Sequence, residues 1–386
     1  MQIAINVEQI LQRAPGGIGR YTVELLRGIQ RQFPDDIVVP FTARHSVTDI
    51  EHAYRLFDLD EAHVSLPVVL PLPRPVLYDS WHLLHFPRLA WCAPSLQACD
   101  LVHAPSSAVP PTGDKPLVVT IHDAAFALFP ETYPSRGRRF HRIGAEAAAR
   151  RASLVITGSH SASQEIAQHT SIPIDRIRIV PYGVDHTTAT PEEIAQTRRK
   201  YDLIGCPYVL WVGSLEPRKN VNTLLQAFAR FVKTSSQPHH LVLAGPSGWL
   251  EKNLIRDDVR TLIGGRLHPV GRVSDVDLRS LYAGADLFAF PSLHEGFGLP
   301  VLEAMVQDTP VLCSDITALH EVAGEAALFL TPIDVEAWCD AFERLLSDPL
   351  ERSRLTSAGH LRSQLFSWER TVLETRAVYE EALAER

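Results

Sequence analysis

Cysteine is scarce in this chain: Cys92, Cys99, Cys206, Cys313 and Cys339 are scattered, odd in number and form no C-x-x-C pair. That pattern suggests neither a disulfide framework nor a zinc site and fits a reducing cytoplasm. No uninterrupted apolar run approaches the length of roughly 20 residues that a membrane-spanning helix needs. Positive charge is not in excess either, with 37 Lys and Arg against 45 Asp and Glu for a net charge of −8, which argues against a dedicated nucleic-acid binder. Repeats and low-complexity tails are missing. The opening residues Gln2-Ile3-Ala4-Ile5-Asn6-Val7 read as a strand with no basic segment or small-residue cleavage site before it, so no signal peptide is expected.

What is present is an ordinary balance, 45% hydrophobic and 21% charged over 386 residues, which suits two domains better than one core. Short apolar strands alternate with amphipathic helical stretches twice over, as expected of two parallel-sheet, Rossmann-like α/β domains. The first series runs from the opening strand through 101–105, 116–123, 153–157 and 177–185. A polar helical stretch at 187–206 then reads as a linker between a first domain of residues 1–186 and a second of 207–366. The second series begins at Tyr208-Val209-Leu210-Trp211-Val212-Gly213 and continues through 240–245, 268–273, 285–290, 310–314 and 327–330. Residues 37–98, apolar but broken by prolines, read as loops and short elements, or as an oligomer surface.

The most informative stretch is Phe290-Pro291-Ser292-Leu293-His294-Glu295-Gly296-Phe297-Gly298-Leu299-Pro300-Val301-Leu302-Glu303. A buried strand delivers a glycine-rich turn to a helix start, where Pro300 is at home because it has no N–H to lose. The amides of Gly296, Phe297, Gly298 and Leu299, with the helix dipole behind them, form a cradle for a diphosphate. Two carboxylates flank it, and hydroxyls are their natural partners: Glu295 toward a transferred sugar, Glu303 toward a ribose. Taken singly, each glutamate would as readily cap a turn or complement the helix dipole. Arg218 and Lys219, between a strand end and a helix start, place two cations where a diphosphate lies, in the role a metal ion plays elsewhere. The two D-x-D matches, at 58–60 and 275–277, read as chance, and no metal site is expected. His122 ends the strand 116–121, and in doubly wound sheets ligands gather at such carboxyl ends.

The string EGFGLPVLE resembles the E-x7-E signature of retaining GT-B glycosyltransferases, and most specifically glycosyltransferase family 4. Glu-Pro-Arg-Lys-Asn at 216–220 and His-Asp at 122–123 followed by Phe-Pro-Glu at 129–131 support the likeness, which spans nearly the whole chain. The resemblance implies two Rossmann-like domains facing across a cleft, with the final helix, about 367–386, returning to the first. It implies a nucleotide sugar as co-substrate and no cofactor. It gives Gly213, Arg218, Lys219, Glu295, Gly296, Phe297, Gly298, Leu299 and Glu303 to the donor, with backbone around Gly271, Arg272 and Val273 against the nucleobase. Gly16 and Gly17 would approach the donor phosphate from the other domain, and His122 would touch the transferred sugar. His122, Glu295, Arg218 and Lys219 are the expected catalytic set.

The segment 121–131 looks most like bacterial mannosyltransferases of surface polysaccharides, so GDP-mannose is the expected donor and a glycan or lipid-linked glycan the acceptor. UDP-sugars are the second choice. A nucleotide-sugar epimerase and a non-catalytic sugar-nucleotide sensor share the same donor cradle and stay open, separable by product analysis. Arg136, Arg138, Arg139 and Arg142 make a basic helical face suited to anionic lipid at the inner face of the membrane, to an acidic acceptor, or simply to solvent.

Overall fold

A computed structural model describes residues 1–12, 16–59, 64–246 and 257–385. The chain divides into two compact units, Met1–Gly183 with Trp368–Arg386, and Val184–Ser367. The first holds a seven-stranded sheet in the order β3-β2-β1-β4-β5-β6-β7, from β1 (Gln2–Asn6), β2 (Ile37–Thr42), β3 (Val68–Val69), β4 (Leu101–Ala104), β5 (Leu117–Thr120), β6 (Leu154–Thr157) and β7 (Ile177–Ile179). Every pairing in it is parallel. The second holds six strands in the order β10-β9-β8-β11-β12-β13: β8 (Tyr208–Val212), β9 (His240–Ala244), β10 (Leu267–Gly271), β11 (Leu287–Phe290), β12 (Val311–Ser314) and β13 (Ala327–Leu330), again all parallel.

Sequences such as Leu-Val-Val-Thr in β5 and Leu-Phe-Ala-Phe in β11 are apolar without alternation, and these strands are buried along their whole length. Helices cover both faces of a parallel sheet, so both faces are apolar and the polar side chains that do occur, such as Thr120 and His103, are buried against hydrogen-bond partners. In the second unit one face packs Trp211, Phe228, Phe231, Trp338 and Phe342 into a continuous core. Its helix Val221–Thr234 supplies Leu224, Leu225, Phe228 and Phe231 at helical spacing.

Each sheet grows outward from its first strand in one direction and then resumes on that strand's other side. The strand order therefore reverses between β1 and β4, and between β8 and β11. Crevices at the carboxyl ends of such strand pairs are where doubly wound sheets bind ligands.

Two stretches that the sequence left coarse are filled in. Residues 37–98 hold β2, β3 and the helix Val47–Leu56, whose Ser46 side chain accepts the Asp49 amide as an N-cap. The polar stretch 187–206 carries the helix Pro191–Lys200, opened by a capping box of Thr190 and Glu193, and groups with the second unit. Lys200 and Tyr201 fasten it to Asp277, which also caps the helix Asp275–Ala283 together with Ser274. Asp277, one half of a D-x-D match, is thus engaged in structural contacts; Asp60 of the other match lies outside the described residues.

Candidate functional site

The site is built at the β8/β11 reversal of the second sheet. After β8 the chain turns through Gly213, forms a single turn Pro217–Lys219, and enters the helix Val221–Thr234 by way of Asn220 in the left-handed conformation, φ 51°. After β11 it runs through residues 291–298 into the helix Leu299–Val306. The two connections are stitched together. Asn220 donates from Nδ2 to the carbonyls of Pro291 at 3.0 Å and Pro332 at 2.7 Å, the Leu293 amide donates to the Arg218 carbonyl at 2.9 Å, and Arg218 Nη1 donates to the His294 carbonyl at 2.8 Å.

Between them lies an ion cluster. Lys219 Nζ sits 2.6 Å from Glu295 Oε1, Arg218 Nη1 3.4 Å from Glu295 Oε2, and Arg218 Nη2 2.7 Å from Glu216 Oε1. Glu295 and Glu216 are buried. Burial alone would raise the Glu295 carboxyl, but the charges of Lys219 and Arg218 overcome it and hold the group below the usual carboxylate range. The Lys219 ammonium also lies over the Phe290 ring, 5.2 Å from its centre. Two cations and two anions are thus fixed where β8 and β11 end.

Beside the cluster, Gly298 serves as the N-cap of the helix Leu299–Val306 with φ 118°. A side chain there would be strained by that backbone and would meet Leu319 Cδ2 at 2.5 Å. Pro300 occupies the first turn. Phe297 turns its ring inward onto Phe366, 5.9 Å between centres, and Glu303 Oε2 accepts the Tyr282 hydroxyl at 3.0 Å. The helix start thus combines backbone amides with a carboxylate one turn further on.

Gly213, Arg218, Lys219, residues 271–273, residues 295–299 and Glu303 therefore share the carboxyl edge of one sheet, because a parallel sheet delivers every strand end to the same side. Gly213 donates to the Ala244 carbonyl at 3.0 Å, and Gly245 in turn to the Gly271 carbonyl at 2.8 Å, which links the ends of β8, β9 and β10. The sequence reading gave no role to Glu216 or Asn220; their signal was the Glu-Pro-Arg-Lys-Asn run itself, whose first and last residues orient the two cations between them.

Gly16, Gly17 and His122 belong to the first unit. The glycines open the helix Gly16–Gln32, Gly16 with φ 57°. His122 follows β5, with Nε2 at 3.1 Å from the Pro105 carbonyl and Nδ1 at 2.8 Å from the Tyr182 hydroxyl. A carbonyl only accepts, so Nε2 carries the proton and Nδ1 accepts from Tyr182. Burial pushes the His122 pKa down and so favours the neutral ring. Arg136, Arg138, Arg139 and Arg142 are exposed on the helix Ser135–Arg151, and Arg142 pairs with Glu146 at 2.6 Å. Among the described residues, no group of three or more His, Cys, Asp or Glu is arranged to hold a metal ion, and no helix is long and apolar enough to cross a membrane.

Residues 15–188 match the model of Glycosyltransferase Family 4 and residues 195–362 that of Glycosyl transferases group 1. The chain is 31% identical to the O-antigen chain mannosyltransferase B of Escherichia coli over 94% of its own length and 95% of that protein's. The structure resembles a sucrose-phosphate synthase from Thermosynechococcus elongatus, with TM-score 0.77 and 22% identity over all of both chains. It likewise resembles Anabaena HepE crystallised with UDP and glucose, with TM-score 0.73 and 18% identity over 99% of this chain and 100% of that one. With two parallel-sheet Rossmann-like domains and a full-length mannosyltransferase relative, the chain belongs to glycosyltransferase family 4 and has the GT-B fold.

Proposed function

We propose that this glycosyltransferase of polysaccharide biosynthesis moves mannose from GDP-mannose to a glycan or lipid-linked glycan, with retention of configuration and without a metal ion. The observation that carries the reading is the buried cluster of Arg218, Lys219 and Glu295 beside the amide-rich turn of residues 296–299. Its cations would neutralise the charge that gathers on the departing GDP as the bond from sugar to phosphate breaks. Glu303 would take the ribose hydroxyls and Gly271, Arg272 and Val273 the base. Each oxygen of Glu295 already accepts from a cation and keeps lone-pair capacity for a sugar hydroxyl. A carboxylate held that way is poorly placed as a nucleophile. The reading therefore takes attack and departure on the same face, with the acceptor's proton passing to the leaving phosphate oxygen. His122 would hold the transferred sugar, with Gly16 and Gly17 near the phosphate. The choice of mannose leans on the name of the Escherichia coli relative. The arginine face of the first unit suits work at the cytoplasmic side of a membrane.

A thermal-shift panel of nucleotide sugars tests the donor: a compound held at roughly 100 times its dissociation constant adds about 2.7 kcal/mol of stability. GDP-mannose is expected to give that shift, and a shift with a UDP-sugar alone would replace it as donor. NMR of the product anomer tests retention. Loss of turnover on chelation with rescue by a divalent ion would end the metal-independent reading.

A further inference from the structure

The first unit carries a surface that the transfer chemistry leaves unused. Leu83, Leu84, Phe86 and Trp91 are large apolar side chains exposed to 52%, 73%, 54% and 66% within nine residues. They are contiguous in chain and partly in space: the Phe86 and Trp91 rings meet edge to face with centres 6.3 Å apart, and the Arg88 guanidinium lies 5.2 Å from the centre of the Trp91 ring. Scattered exposed leucines need no explanation, but a run of this kind marks an interaction site.

The segment is anchored next to the basic helix. Phe140, on Ser135–Arg151, stacks on Tyr78 at 5.6 Å and lies 5.5 Å from the His82 ring, so the turn Ser80–Leu84 rests on that helix. Arg136 and Arg139 stand within one helical turn of Phe140, and Arg138 beside them; all three are exposed. Neither residues 80–99 nor residues 135–145 contain an Asp or Glu. Apolar side chains including an aromatic pair, with Arg88 over the Trp91 ring and exposed arginines on the adjoining helix, have the composition of a protein surface that dips into the headgroup layer of an anionic bilayer. There the rings and leucines reach the acyl boundary, and arginine stems lie along apolar surface with their charges among phosphates.

We propose that residues 83–91, together with Arg136, Arg138 and Arg139, bind the surface of an anionic phospholipid bilayer, with Leu83, Leu84, Phe86 and Trp91 entering the interface. The proposal deepens the arginine-face reading above and rests on it, because it names the apolar element that turns attraction into insertion. A second copy of the chain is the poorer occupant: a two-fold contact through this face would bring the arginines of one copy against those of the other.

Co-sedimentation with vesicles of mixed phosphatidylglycerol and phosphatidylcholine, and with vesicles of phosphatidylcholine alone, tests it. The native chain is expected to bind the anionic vesicles, and less as salt rises. Replacing Arg136, Arg138 and Arg139 together by Ala should weaken binding about a hundredfold at low salt, and the double variant Leu84→Ser/Trp91→Ser about tenfold or more at every salt concentration. Leu350→Ser, at an exposed leucine of the second unit, should change nothing. Native-like binding by the double variant, or no binding by the native chain, would overturn the proposal. So would light scattering that shows a dimer dissolved by Leu84→Ser/Trp91→Ser, since the face would then be a protein contact. The thermal shift with nucleotide sugar is read on the same samples: its retention shows that the variants fold, and its absence in the native chain would count against the donor assignment alone.

Discussion

Glu295 keeps its negative charge in a place where burial opposes it, and two cations decide the outcome. Lys219 at 2.6 Å and Arg218 at 3.4 Å lower its pKa below the ordinary 4.5. A carboxyl depressed in the folded state contributes stability that is whole above its unfolded pKa and is lost as pH falls through the folded one. We predict that Glu295→Gln costs about 3 kcal/mol near neutral pH, since it leaves two largely buried cations short of their counter-charge. The gap between native and variant should narrow as pH drops below 4.5. Urea unfolding at a series of pH values checks this, and a gap that stays constant into acid would mean that Glu295 is not the ionised partner. In turnover at saturating donor, Lys219→Ala should lower kcat about a hundredfold, the cost of losing one fixed charge aimed at a leaving group.

At the scale of elements, the site depends on two strand-to-helix connections that hold each other. Asn220 does this by combining a left-handed backbone with an amide that reaches the carbonyls of Pro291 and Pro332. We predict that Asn220→Ala destabilises the second unit by about 3 kcal/mol, from three lost hydrogen bonds, the third accepted from the Thr223 hydroxyl, and a side chain at positive φ. Asn220→Gly, which keeps the backbone at ease, should cost about 1 kcal/mol less. Equal losses in thermal unfolding would show that the conformation contributes nothing. This element also marks the boundary of what sequence can convey. The turn chemistry of residues 295–303 was legible because glycine, proline and glutamate act there on their own backbone. The partners of Asn220 were not, since Pro332 lies 112 residues on. Nor were β2 and β3, because prolines among residues 37–73 blur the period that would announce strands, nor the docking of 191–200 on Asp277, which is tertiary contact overriding a polar, linker-like composition.

On the scale of the whole molecule, the chain finishes the unit in which it began. The helix Trp368–Ala384 packs on the helix Gly16–Gln32 so closely that a side chain at Gly28 would lie 2.4 Å from Val372. Arg376 reaches Asp36 at 2.7 Å, and Arg178 forks onto Glu381. At the centre of this closure the fully buried His103 joins β4 to β5 and to the last helix, 2.8 Å from the Thr120 hydroxyl and 2.7 Å from that of Tyr379. Burial pulls its pKa from 6.5 down to about 3, and six further histidines, His82, His122, His141, His239, His240 and His268, are lowered chiefly for the same reason. A histidine kept neutral when folded takes its proton only on unfolding. Between pH 6.5 and 3 the unfolded chain therefore binds more protons, and stability falls as pH falls. His103 alone should remove about 2 kcal/mol between pH 6.5 and 5, at 1.36 kcal/mol per pH unit. We predict that the native chain loses stability over that interval and that His103→Gln, although less stable at pH 7, loses about 2 kcal/mol less across it, as measured by urea unfolding of the first unit at each pH. Parallel pH dependences for the two proteins would mean that His103 accepts a proton inside the fold, and that the last helix is not locked by a neutral ring.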